Sequence, residues 1–191
     1  TELLIELPRL IGPNILCAVK RTRRYRQALA TASRRFRRTR RQATFKHLFQ
    51  AGYMTEKFLA QNPSICHLHG HFAHSPTSVT MFASLLSGLS FSFTAHAKYI
   101  YTSHPDQLRE KLEQAVFVAT CTRQNKAYLD ELTKGVGARV HCIYHGIDLD
   151  LFQNNDSRVA TRPPYRLLTV ARITEKKGLP TVYQALQRLA D

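Results

Sequence analysis

The sequence is short of acidic residues, of cysteine and of long apolar runs, and each shortage closes off a class of protein. Its 191 residues include four cysteines, Cys17, Cys66, Cys121 and Cys142, with no CxxC pair, so no disulfide framework is indicated. Three of the four sit in apolar, strand-like runs and read as buried, reduced thiols of a cytosolic protein. No stretch reaches the roughly 18 uninterrupted apolar residues of a membrane-spanning helix. The longest candidate, Val79 to Phe93, is broken by Ser84, Ser87, Gly88, Ser90 and Ser92. No signal-peptide pattern is visible. Acid is scarce: 13 Asp and Glu against 28 Lys and Arg give a formal net charge of +15. The imbalance is local, because Lys20 to Lys46 holds 12 Lys and Arg and no acid, while the remainder is close to neutral. A histone-like, generally polyanion-coating protein is thereby excluded. The 43% hydrophobic content is enough for a packed core and argues against wholesale disorder.

The first 18 residues are apolar and punctuated by Pro8 and Pro13, which predicts a loop and the start of a helix. In the basic segment, Tyr25, Leu29, Ala32, Phe36 and Ala43 fall on one helical stripe, with arginines on the remaining faces. A second helical piece runs from Phe45 to about Gln61. Thereafter the rhythm is strand, turn, helix. Ser64–Leu68 reads as a strand, and Ser75-Pro76 opens a helix that stops at Gly88. Phe91–Ala95 is the next strand, Asp106–Ala115 an amphipathic helix, and Val116–Cys121 a strand apolar enough to be buried on both faces. Thr122 caps a helix over Arg123–Thr133, and Arg139–Tyr144 is another strand. This alternation predicts an α/β fold with a Rossmann-like, doubly wound parallel sheet. Residues 1–148 form that first domain, and a polar, proline-bounded linker spans 149–165. A strand at Arg166–Ala171 and a helix from about Pro180 start a second domain at residues 166–191. Opening on Thr1 and stopping at Asp191 inside a helical pattern, the sequence reads as part of a longer chain.

Ligands of an open parallel sheet gather outside the carboxyl ends of its strands. Two histidine features fall there, His67-Leu68-His69-Gly70-His71 and His96 within Thr94-Ala95-His96-Ala97. Each histidine has two readings, a satisfied structural residue or a substrate contact, and His96 favours the second because it stands just past its strand. Zinc on His67, His69 and His71 is disfavoured, because Gly70 is expected to end the strand and no Asp, Glu or Cys completes a ligand set. No metal is expected. Arg172, Lys176, Lys177 and Gly178, between a strand and a helix, form either a diphosphate site or an ordinary solvated turn. A Walker loop is excluded, since no glycine-rich run precedes the lysine.

Four segments in order, His69-Gly70-His71-Phe72, Phe93–Ala97 (FTAHA), Tyr144–Asp148 (YHGID) and Ala171–Gly178 (ARITEKKG), resemble glycosyltransferase family 4, retaining enzymes of GT-B fold. The likeness is to bacterial exopolysaccharide and colanic-acid-type members and covers roughly residues 64–191. It implies a hexosyltransferase using a nucleotide-sugar, with an acceptor-side N-terminal domain and a donor-side C-terminal domain. His96 matches the histidine that contacts the transferred sugar, and Arg172 and Lys177 match the pair that grips the donor diphosphate. His69, His71, Gly146 and Asp148 match positions beside the acceptor cleft. No metal or other cofactor is implied, and the residues given should show no turnover by themselves.

The basic helix has three readings of its own: a solvated structural helix, an anionic membrane surface engaged by Arg23, Arg24, Arg34, Arg35, Arg37 and Arg38, or a nucleic-acid backbone. The membrane reading suits an enzyme with a lipid-linked glycan acceptor, peripheral on the inner face of the plasma membrane. Nucleic acid is not expected as a partner, because no base-reading module accompanies the arginines. The alternative to a transferase is a non-catalytic phosphate- or nucleic-acid-binding α/β protein acting through this helix.

Overall fold

In a computed structural model of the chain, residues 2–134, 137–152, 165 and 167–190 are described, residues 2–7 and 190 by backbone alone. They divide into two compact units, Thr1–Ile147 and Asp148–Asp191.

The first unit begins with three helices, α1 (Glu2–Lys20), α2 (Thr22–Thr39) and α3 (Ala43–Lys57). Helix α1 runs through both Pro8 and Pro13, where the sequence predicts a loop. Tertiary contact overrides the local signal: Cys17 is fully buried, and the Asn14 amide donates to the Leu10 carbonyl (2.7 Å) and to that of Phe49 in α3 (2.9 Å). Helix α2 ends at Arg40, in the left-handed region at φ 54°, so Ala43 begins α3 instead of continuing the α2 stripe. The buried side of α2 is Ala28, Thr31, Ala32 and Arg35. It is rotated from the predicted stripe, and Leu29 is 42% exposed.

Gly52 marks where α1 crosses α3. A Cβ there would collide with the Asn14 side chain, which is 3% exposed and also accepts from the Tyr25 hydroxyl (3.2 Å). Gly52→Ala is therefore expected to destabilise the fold by about 1–3 kcal/mol, the cost of overpacking. Alanine in a helix would otherwise stabilise by up to about 1 kcal/mol. A denaturant midpoint that stays level or rises would contradict this crossing.

The βα series follows: β1 (His67–His71), α4 (Ser75–Ser87), β2 (Ser90–Ala95), α5 (Ala97–Thr102), α6 (Pro105–Gln114), β3 (Phe117–Thr120), α7 (Arg123–Thr133) and β4 (Arg139–Cys142). Local chemistry explains most boundaries. Pro76 sits in the first turn of α4, and Gly88 closes that helix at φ 84°. The Thr122 hydroxyl accepts from the Asn125 amide (3.1 Å) to cap α7. Strand β1 starts at His67 and runs through Gly70 to His71, so Gly70 does not end it. A glycine fits there because the α4 residues Thr77 and Thr80 lie against it.

The four strands are parallel, in the order β1-β2-β3-β4, which is the α/β, Rossmann-like arrangement. That order contains no reversal, so the switch point of a doubly wound sheet is absent among the described residues. Leu68, Phe91, Phe93, Ala95, Val118, Thr120 and Val140 share the buried face, against a core that includes Phe82, Met81, Leu86, Leu108, Leu112 and Leu129. The other face is polar and partly open. His67 bridges Ser90 and Ser92 (both 2.7 Å), and His69 bridges Ser92 (2.7 Å) and Thr94 (2.9 Å). Strand β3 is accordingly buried on one face only, with Phe117 and Ala119 half-buried, against the expectation of burial on both. Of the cysteines, Cys17 is buried as expected, whereas Cys121 and Cys142 are half-buried and Cys66 is exposed.

In the second unit, residues 153–164 and Arg166, which carry most of the predicted linker and the start of the predicted strand, lie outside the described residues. Leu167–Ala171 forms no strand, because a strand exists only by pairing and no described neighbour pairs with it. A 3-10 turn, Glu175–Lys177, closed by Gly178 at φ 64°, leads into α8 (Leu179–Ala190).

Candidate functional site

The carboxyl ends of all four strands bring side chains together. Beyond β1, Phe72 is held at φ 70°, a conformation costly for an aromatic residue. Its amide donates to the Thr94 carbonyl (2.9 Å), and its carbonyl accepts from the Thr77 hydroxyl (2.7 Å). Lys111, from α6, fixes the next two residues by donating from Nζ to the carbonyls of Ala73 (2.7 Å) and His74 (2.9 Å). Beyond β2, His96 has an extended backbone and opens α5, its carbonyl accepting from Tyr99 (3.0 Å) and Ile100 (3.1 Å). Cys121 follows β3, and His145 lies three residues past β4.

These side chains meet around the His96 ring. It lies 5.1 Å from the Phe72 ring and 5.6 Å from the His145 ring, nearly parallel to the latter at 12°. Tyr99 flanks Phe72 at 5.7 Å and His74 at 3.8 Å. Potential ligand atoms of His96, Cys121 and His145 all lie within 4.8 Å of one another. Behind Cys121, Asn125 directs its amide nitrogen at the sulfur (4.0 Å) while its oxygen accepts from the Tyr101 hydroxyl (3.0 Å).

Burial and cationic neighbours favour neutral bases here. Partial burial, then His145 and His71, hold His96 below the usual imidazole range, and burial with Lys111 and Lys98 does the same to His74. Burial pushes Lys111 down to about 7, with Arg35 adding to the effect. Beneath the loop, His47 is pushed down to about 4 by burial and the charges of Lys111, Arg35 and Lys46.

Of the residues singled out from sequence, His96 sits at the centre of this cluster, and His71 is near enough to act on its protonation. His69 lies mid-strand on the open sheet face, occupied by Ser92 and Thr94. It shares that face with His67 and His71, which sequence reading put beyond the strand. Gly146 is exposed one residue past His145, with nothing within 4 Å of where a Cβ would stand. Asp148, Arg172 and Lys177 belong to the second unit and are exposed; Asp148 accepts from the Asp150 amide (3.0 Å).

Among the arginines assigned to a membrane surface, Arg23, Arg34 and Arg37 are exposed. Arg24 is exposed but donates to the Ser87 carbonyl. Arg38 pairs with Glu110 (2.9 Å). Arg35 is a correction. It is 2% exposed and donates to Glu110 (2.9 Å), Ser78 (3.3 Å) and the Met81 sulfur (3.3 Å), so it faces the core and not a lipid headgroup.

Sequence reading missed Phe72, Lys111, Cys121 and His145 as members of the cluster. One signal was present: His96, Cys121 and His145 are 25 and 24 residues apart, the length of one βα repeat, so each falls after a successive strand. Compared with known proteins, the chain matches no family model and no curated sequence.

Proposed function

We propose that this chain is part of a retaining glycosyltransferase of GT-B type that moves a hexose from a nucleotide-sugar to a glycan or lipid-linked acceptor in cell-envelope biosynthesis. The observation that carries the reading is His96 at the carboxyl edge of a parallel sheet, flanked by the rings of Phe72 and His145. Such an edge is where α/β folds take small polar ligands, and a neutral imidazole there can hydrogen-bond a sugar hydroxyl. In this reading His96 contacts the transferred hexose. Arg172 and Lys177, each exposed in the second unit, neutralise charge growing on the departing diphosphate. His71 and Gly146 border the acceptor side, and no metal or other cofactor is required.

Attachment to an anionic membrane surface fits the outer face of α1, where Ile11, Ile15, Leu16 and Val19 are exposed ahead of the exposed Arg23. No helix among the described residues is long and apolar enough to cross a membrane. The rival reading, phosphate or nucleic-acid binding through α2, has fewer free cations than the sequence suggests, since Arg35 and Arg38 are paired with Glu110.

The test is a transfer assay on the complete translated product of the gene, run against a panel of nucleotide-sugars. Turnover of one donor is expected, and His96→Ala should lower kcat by about 10²–10³-fold, as for loss of one polar transition-state contact, with circular dichroism unchanged. No binding or turnover of any nucleotide-sugar, together with tight, salt-sensitive duplex binding, would favour the rival reading. Near-normal transfer by the variant would remove His96 from the site.

A further inference from the structure

We propose that His96, Cys121 and His145 form a binding site for zinc, or a similarly borderline-soft divalent cation, with a fourth coordination position left for water or an added ligand. The inference rests on this chain's own residues and does not depend on the transferase reading. Two imidazoles and a thiol are a ligand set that zinc accepts. The absence of a carboxylate from the trio argues against magnesium or calcium.

Three features make this a built arrangement and not a chance proximity. The ligand atoms already lie within 4.8 Å of one another. A tetrahedral zinc with bonds of about 2.0–2.3 Å needs them roughly 3.3–3.8 Å apart, a closure that side-chain rotation can supply. His145 is exposed, past the end of β4, and has room to turn. The ligands also come from successive ends of one sheet, whose paired strands fix their separation.

The third feature is the support behind Cys121. Asn125 is 2% exposed, and its backbone is anchored by the Thr122 hydroxyl (3.1 Å). Its side-chain oxygen is taken by the Tyr101 hydroxyl (3.0 Å), so its donor NH2 faces the sulfur (4.0 Å). A donor aimed at the sulfur from behind orients it and would hydrogen-bond it once metal is bound. Metal binding would release the thiol proton to solvent, and the imidazoles would bind neutral. Occupancy would also engage the His96 imidazole, so zinc and any other ligand of that ring would compete.

The test uses the reduced 191-residue chain, titrated with Zn²⁺ by calorimetry and with Co²⁺ by absorption. One cobalt per chain is expected, with a thiolate-to-cobalt charge-transfer band that zinc abolishes. Cys121→Ser should remove the band and weaken zinc at least tenfold, and His145→Ala should weaken zinc similarly. Asn125→Ala should weaken it about 10–100-fold, the range for a group that orients a ligand. Because His145 is exposed, its variant carries the test if substitution at Cys121 disturbs folding. The proposal is overturned if no stoichiometric metal binds, if the band survives Cys121→Ser, or if zinc binding persists in both ligand variants and is lost instead on His69→Ala with His71→Ala.

Discussion

Replacing Arg35 with alanine is expected to cost about 3–5 kcal/mol of stability, several times the effect of the same change at Arg34 or Arg37. The three residues are near neighbours on α2, but only Arg35 points inward. Its guanidinium lies 5.2 Å from the centre of the Phe82 ring and is satisfied by Glu110, Ser78 and Met81. Truncation would leave a cavity beside Phe82 and strip Glu110, whose side chain is 16% exposed, of its buried partner. Arg38 would still pair with Glu110, which places the loss toward the lower end of the range. At exposed Arg34 and Arg37 the change should stay within about 0.5 kcal/mol. Guanidinium unfolding of the three variants decides the matter. Equal midpoints would show that Arg35 is a surface residue after all. A double change, Arg35→Met with Glu110→Gln, should recover part of the loss, because removing both charges leaves neither stranded.

Stability is also expected to rise with pH between about 7 and 9, and the Lys111→Met variant should lose most of that rise. The Lys111 amine is 2% exposed and meets two carbonyls, those of Ala73 and His74. A neutral amine has just two N–H groups to give, so the uncharged form fits the site. With a folded pKa of about 7 against an ordinary value of 10.5, the unfolded chain holds a proton between those limits that the folded chain has shed. Stability therefore climbs with pH across that interval, by up to about 1.4 kcal/mol per pH unit. Below pH 7 both states are protonated, and the full cost of burying the ammonium is present. The groups facing Lys111 are Arg35, which lowers its pKa, Glu110, which raises it, and the already neutral His47 and His74. The useful window closes near pH 9, because the Cys17 thiol, ordinarily near 9.0, is pushed up to about 11 by burial and Glu56. Above pH 9 the unfolded thiol ionises first, and stability falls from that source. On the acid side, His47 at about 4 adds a loss of stability as pH drops from 6.5 to 4. Thermal melts of wild type and Lys111→Met at pH 6, 7, 8 and 9 isolate the Lys111 contribution. Parallel curves would mean that Lys111 is charged in the folded protein at neutral pH.

What the sequence made legible was what short-range chemistry decides. Thr122 before α7 and Gly88 after α4 each act on the turn in which they stand, and those helices lie where the signals put them. Misreadings came where tertiary contact outweighed local preference. Pro8 and Pro13 sit inside a helix because α1 is held against α3, and Gly70 stays in β1 because α4 leaves no room for a side chain there. Helix α5 was unseen, being a single short stretch after His96. No pattern distinguished Arg35 from Arg34, since a helical stripe drawn one residue off turns Phe36 toward the core and leaves both arginines outside it. The candidate site divides in the same way. His96 could be found because one strand end suffices to place it, whereas Cys121 and His145 acquire meaning only when β2, β3 and β4 are aligned.

The unreversed order of the strands bears on how the molecule comes to exist. Paired residues such as His67 with Ser90, Phe93 with Val118 and Phe117 with Arg139 are separated by only 22 to 25 residues of chain. Loop-closure entropy grows slowly with length, so each pairing closes a loop of nearly the same modest cost. For a parallel sheet this is a low contact order, and it favours fast folding. Each new strand docks on an edge already formed, so the sheet can grow in step with translation, from β1 toward β4. By that sequence His145, the last of the clustered side chains to leave the ribosome, completes the group around His96.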